Sequence, residues 1–139
     1  MEITEKQKLG RSSRKAGKIF ENKVKHDLET KGWIVARWTK KIEEGILVDN
    51  KPRFNPFTRR LESLQTGFPD FICLAKIPIL VEGSQAEYYK IKLVESKMRG
   101  FLDGAEREQV KYLKLLGFEI EIASKNGNEI QYKQAVGNP

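Results

Sequence analysis

The spacing of apolar residues changes several times along this chain, and the order of those changes constrains the fold more than any single motif. From Arg14 to Lys31 the residues Phe20, Val24 and Leu28 recur every four positions, with Ala16 leading the same stripe. That spacing predicts a helix that buries one face, stopped at Gly32. Trp33–Trp38 (WIVARW) reads as a short, largely buried strand. FICLA (71–75) and PILV (78–81) are further short apolar runs. From Tyr88 to Lys97 the pattern partly alternates, with Tyr89, Ile91, Leu93 and Glu95 on one face. Asp103 can cap a second helix, and Glu106, three residues on, completes a capping-box spacing. Its stripe is Val110, Leu113 and Leu116, and Gly117 ends it. FEIEIA (118–123) alternates as a strand, Asn126–Gly127 makes a turn, and Glu129–Tyr132 pairs back. Helix, strand, long loop, strands, helix, strand is the order of an α/β domain with a central mixed β-sheet flanked by helices. The 139 residues suit a single domain.

Two segments lack such a period. Residues 1–13, with Gly10, Ser12 and Ser13, read as a flexible basic arm. Residues 39–68 read as a long insertion or loop, with one hairpin: Ile46–Val48, a turn at Asp49–Asn50, then Arg53–Phe54.

Charge is distributed as unevenly as structure. The net charge is +7, and residues 1–41 hold 12 of the 26 Lys+Arg against 5 of the 19 Asp+Glu, so the whole excess lies there. A basic region on an otherwise neutral chain points to an anionic polymer such as nucleic acid. No apolar run approaches the roughly 20 residues of a membrane helix, and the N-terminus lacks a secretory apolar stretch, so no membrane partner and an intracellular location, cytoplasmic or nucleoid-associated, are the expectation. One cysteine and one histidine exclude a cysteine cage or a multi-histidine metal site within one chain. A metal here must be held by carboxylates, which selects a hard ion such as magnesium or manganese.

The acidic residues supply such ligands. Asp70 follows Pro69 at the start of FICLA, and Glu95 lies near the end of a later strand with Lys97 two residues on. Alternation puts Glu95 and Lys97 on one strand face. If the strands pair, Asp70 and Glu95 converge on one cation, Ser96 offers a backbone carbonyl as a further ligand, and Lys97 sits beside the attacking water or the developing charge. Metal-assisted phosphodiester hydrolysis needs this set. Glu82, in LVEG, is a rival acid, but Ser84 stands where its lysine would be. Glu21 follows the stripe residue Phe20 and can face the sheet edge; Gln109 flanks the stripe of the second helix. His26 reads as a surface residue, Cys73 as a buried thiol, and Trp33 and Trp38 as core or rim.

In series these segments are FENKV, GFPDFICLA, KLVESKMRG and EREQVKYLKLLGFEIEI. Over about residues 14–123 the chain resembles the PD-(D/E)XK nuclease superfamily, in its compact archaeal Holliday-junction-resolvase-like and stand-alone VRR-NUC branch. The early GxxFE motif is Gly17-Lys18-Ile19-Phe20-Glu21. The resemblance implies a restriction-endonuclease-like core and a magnesium-dependent DNA endonuclease, with Holliday-junction or branched DNA as a candidate substrate. It implies Asp70 and Glu95 as metal ligands, Glu21 as an assisting acid, Lys97 as the catalytic lysine and Gln109 as an accessory glutamine. A homodimer suits symmetric cutting of two strands. Arg14, Lys15 and Lys18, around Glu21, and Arg53, Arg59 and Arg60, in the long segment, are the candidate nucleic-acid contacts. Two departures stand out: the 25-residue spacing from Asp70 to Glu95 is longer than a simple hairpin needs, and the 39–68 segment is additional. A catalytically silent nucleic-acid-binding module and an RNA-processing nuclease on the same fold are the alternatives.

Overall fold

A computed structural model of the chain describes residues 4–64, 67–77, 83 and 87–139, apart from the side chains of Arg53 and of residues 62–64. Eleven elements follow in order: α1 (Glu5–Thr30), β1 (Ile34–Arg37), β2 (Lys40–Glu43), β3 (Ile46–Asp49), β4 (Pro52–Asn55), β5 (Arg60–Leu64), β6 (Phe71–Ile77), β7 (Tyr88–Ser96), α2 (Gly104–Leu115), β8 (Ile120–Asn126) and β9 (Glu129–Gln134). Five strands form the main sheet in the order β1-β6-β7-β8-β9. Only β7 and β8 are parallel, and α2 is their crossover. The expected α/β chain with a central mixed sheet and two helices is therefore present.

Strand alternation divides the core. Leu93, Ile120 and Ile122 pack with Val110 and Leu113 of α2, together with Trp38, Phe68 and Leu102. The intervening residues Phe71, Cys73, Val94 and Ala123 pack with Phe20, Val24 and Leu28 of α1. The two helices thus cover opposite faces. Each large stripe side chain contributes about 1.5–3 kcal/mol by leaving water. On the α1 face the buried Lys92 reaches Glu121 at 2.6 Å and lies 4.2 Å above the Trp33 ring. Beside it, the Tyr132 hydroxyl donates to Asp27 at 2.6 Å, which also pairs with Lys31 at 3.0 Å. Cys73, fully buried, faces the same polar group.

Several expectations need correction. Most of the 1–13 segment is helix, not a flexible arm: α1 begins at Glu5, because Thr4 and Gln7 form a reciprocal capping box and the residues between are mostly good helix formers. Only residues 1–3 lie outside the description. The 39–68 segment is not one loop but two hairpins. The first, β2–β3, turns at Glu44–Gly45 with φ of 52° and 76°, the doubly left-handed geometry of a type I′ turn. The second, β4–β5, turns through Asn55–Arg59. Asp49–Asn50, read as a hairpin turn, joins the two instead. WIVARW is less buried than expected, because β1 is an edge strand and Ile34, Ala36 and Arg37 are exposed. The capping box at Asp103 and Glu106 is present, as is the β8–β9 hairpin, with its turn at Gly127–Asn128. PILV and Glu82 lie outside the described residues. Among the described residues no helix is long and apolar enough to cross a membrane.

Candidate active site

The segment Gly67-Phe68-Pro69-Asp70 is pinned before it reaches the sheet. The Gly67 amide donates to the Trp38 carbonyl at 2.7 Å, the Phe68 amide to the Lys40 carbonyl at 3.0 Å, and the Trp38 amide to the Asp70 carbonyl at 3.0 Å. The Trp38 indole donates to the Phe68 carbonyl at 3.0 Å. Any Cβ at position 67 would run into the Lys40 carbonyl, so only glycine fits. Phe68 and Pro69 are buried. Asp70 is thereby delivered to the start of β6 on a fixed backbone.

Antiparallel pairing of Phe71 with Val94 sets Asp70 opposite Glu95. Asp70 Oδ2 accepts from the Ser96 amide at 2.9 Å and from the Ser96 hydroxyl at 2.6 Å. Ser96 was expected to contribute its carbonyl; its amide and hydroxyl hold Asp70 in place. Glu95 is 6% exposed. Burial, then a hydrogen bond to Asp70 and the Asp70 charge, push its carboxyl up to about 11, against a weaker pull from Lys97. At neutral pH the Glu95 carboxyl therefore keeps its proton. No buried side-chain polar atom among the described residues lacks a hydrogen-bond partner.

Glu21 reaches the same region from α1. Burial first, then the Asp70 charge, raise its carboxyl above the usual range, while Arg37 and Lys18 pull it down. Lys97 approaches from the other side. Its amide continues the ladder to the Ala123 carbonyl at 2.9 Å, and its Nζ lies 2.7 Å from Glu106 Oε2. Burial disfavours its charge, but the hydrogen bond and charge of Glu106, with Glu95 and Asp103 behind, hold the ammonium above the usual lysine range. Glu106 Oε1 accepts from the Asp103 amide at 3.0 Å, so one carboxylate both caps α2 and orients Lys97. The capping-box spacing marked Glu106; nothing in the sequence marked its hold on Lys97, or Arg37 as a neighbour of Glu21.

Glu21, Asp70, Glu95, Ser96 and Lys97 thus gather at one end of β6 and β7. Gln109 makes a contact outside this cluster: its Oε1 accepts from the Ile42 amide at 2.9 Å and fastens the β2–β3 hairpin to α2. Arg14, Lys15 and Lys18 lie exposed on α1, and Arg14 Nε donates to the Gly10 carbonyl at 3.2 Å. Arg59 and Arg60 are exposed on the β4–β5 hairpin, a separate two-stranded sheet. The Arg53 side chain lies outside the description.

The described residues contain no group of three or more Asp, Glu, His or Cys arranged to grip a metal. A carboxylate pair is nevertheless a suitable donor set for a small hard cation. Magnesium commonly takes one or two carboxylates and fills its octahedron with water. A divalent charge would also relieve the crowding that keeps Glu95 protonated. Comparisons of the chain with family models, curated proteins and solved structures find no match.

Proposed function

We propose that this chain is a metal-dependent phosphodiesterase acting on nucleic acid, DNA foremost, with a restriction-endonuclease-like core. The observation that supports this most is the Asp70–Glu95 pair: two acids opposed across adjacent strands, one of them almost wholly buried and held neutral by that burial first and by its neighbour second. Carboxyls perturbed by burial and by a neighbouring charge cluster at functional sites. Asp70 and Glu95 would hold magnesium or manganese, with Glu21 assisting. When bound, the ion supplies a Lewis acid and lowers the pKa of an attacking water. Ser96 keeps Asp70 in one orientation. Lys97, steadied by Glu106, places a positive charge where negative charge grows on the phosphate. The basic face of α1 supplies phosphate contacts. A homodimer is the assembly that suits paired cuts.

The test is incubation with labelled four-way junction, linear duplex, flap and single-stranded DNA, and RNA, with and without magnesium. Magnesium-dependent cleavage leaving 5′-phosphate and 3′-hydroxyl ends is expected. Asp70→Asn or Glu95→Gln should lower it at least about a hundredfold, since a metal-held charge contributes several kcal/mol to the transition state. A folded protein inert on every substrate, or a fully active Glu95→Gln variant, overturns the proposal.

A further inference from the structure

The β4–β5 hairpin has no evident use in the chemistry above, yet its surface is unusual. β4 and β5 pair only with each other, whereas a two-stranded hairpin is marginal by itself in water. At its apex Phe57 is 95% exposed, the most exposed large apolar residue described. The Asn55 carboxamide oxygen accepts from the Phe57 amide at 2.9 Å and the Thr58 amide at 3.4 Å, which closes the tip into an Asx turn. Arg59 follows with φ of 53°, a left-handed conformation uncommon outside glycine. Below the tip, Phe54 and Leu61 face each other across the strands, 55% and 69% exposed. Residues 50–64 contain four basic residues and one acidic residue, Glu62. Exposed Phe54, Phe57 and Leu61 on one hairpin of net positive charge make a surface suited to an anionic partner with an apolar face.

We infer that this hairpin is a base-stacking element: Phe57 lies against an unpaired nucleobase while Arg59 and Arg60 hold the flanking phosphates. The inference rests on the nucleic-acid reading of the acidic site and narrows its substrate to strands with accessible bases, single-stranded or at a branch. Charge selects the occupant, because the segment complements a polyanion. The bare aromatic ring selects the other half, because a base offers a π-face between its phosphates and a simple polyanion does not. In an intact duplex that face is already stacked.

Binding is measured in calcium, without turnover, on a single strand, on the same strand with abasic positions, and on duplex. Wild type should prefer the base-bearing strand to the abasic one by about tenfold, within the range of one aromatic–base stack. Phe57→Ala should erase that preference and Phe57→Trp should keep it. Since Phe57 touches little of the protein, folding should not confuse the result. Arg59→Ala with Arg60→Ala should weaken both strands alike and flatten the salt dependence by about 0.7 per lost contact. A Phe57→Ala variant that keeps the wild-type preference overturns the inference. So does a Phe57→Ala variant that turns a dimer into a monomer with base preference intact, which would make a second copy the occupant. Wild type that cleaves in magnesium without base preference sinks the hairpin reading alone. Base preference without cleavage sinks the nuclease reading alone. A chain that binds no nucleic acid sinks both.

Discussion

Replacing Glu95 by glutamine should stabilise the metal-free protein, although Glu95 is one of its most buried polar residues. In the folded chain Glu95 keeps its proton up to about 11, whereas an ordinary glutamate loses it near 4.5. Between those values the folded state holds one more proton than the unfolded state, so stability falls as pH rises, by about 1.4 kcal/mol per pH unit. At pH 7 the accumulated cost is roughly 3 kcal/mol, the product of that slope and the distance from 4.5. The figure depends on the assay pH and not on where the folded value lies, provided that it is well above 7. Glutamine carries no such penalty and keeps a donor for Asp70. Glu95→Gln should therefore unfold about 10 °C higher than wild type at pH 7, since one kcal/mol moves a domain of this size by a few degrees. The gap should nearly close at pH 5. Magnesium should raise the wild-type midpoint and leave the variant's almost still, because the ion needs the carboxylate. Thermal and urea unfolding at the two pH values check this. A variant no more stable than wild type at pH 7, or a gap that ignores pH, would refute the buried protonated pair.

Three further outcomes follow from the geometry. Lys97→Ala should lower the single-turnover rate far more than affinity, because its charge acts on the transition state, and Glu106→Gln should move the basic limb of the pH–rate profile downward as Lys97 loses the partner that raises it. An effect of Lys97→Ala on binding alone would reduce it to a phosphate anchor. Neutralising Arg14, Lys15 and Lys18 together should flatten the slope of log affinity against log salt on duplex by about two to three, and an unchanged slope would move the phosphate contacts elsewhere. Gly67→Ala should cost about 1–3 kcal/mol in urea unfolding as its Cβ forces the Lys40 carbonyl away, and a change below about 0.5 kcal/mol would show that the segment before Asp70 is not tightly held.

What the sequence disclosed was local and periodic. The Phe20–Val24–Leu28 stripe, the Asp103–Glu106 capping box and the alternation of FEIEIA each follow from the repeat of one element, and each stands in the structure. Alternation put Glu95 and Lys97 on one face in advance, and Asp70 joined Glu95 there only on the condition that their strands pair, as they do. Alternation does not assign depth, so the burial that keeps Glu95 neutral was invisible. Residues 40–64 were opaque for another reason. Their strands are four or five residues long, mix polar with apolar positions, and turn at Glu44–Gly45, where glutamate is an atypical occupant of a left-handed position. Gln109 shows the same limit from the other side. Its place on α2 was legible, but its partner, the Ile42 amide, belongs to a hairpin that no local pattern revealed.

Cys73 gives the molecule a practical property. The chain's single thiol is fully buried between α1 and the sheet, and burial, reinforced by Glu121 and only partly offset by Lys92, pushes it up to about 11. At neutral pH it is a thiol without solvent access, and should react with neither alkylating dyes nor disulfide reagents until the protein unfolds. The native chain should thus be blank to maleimide labelling without a cysteine-free background. A Thr58→Cys variant would carry its fluorophore or spin label at the hairpin apex alone, and the hairpin's response to each strand could be read directly in a fully wild-type core.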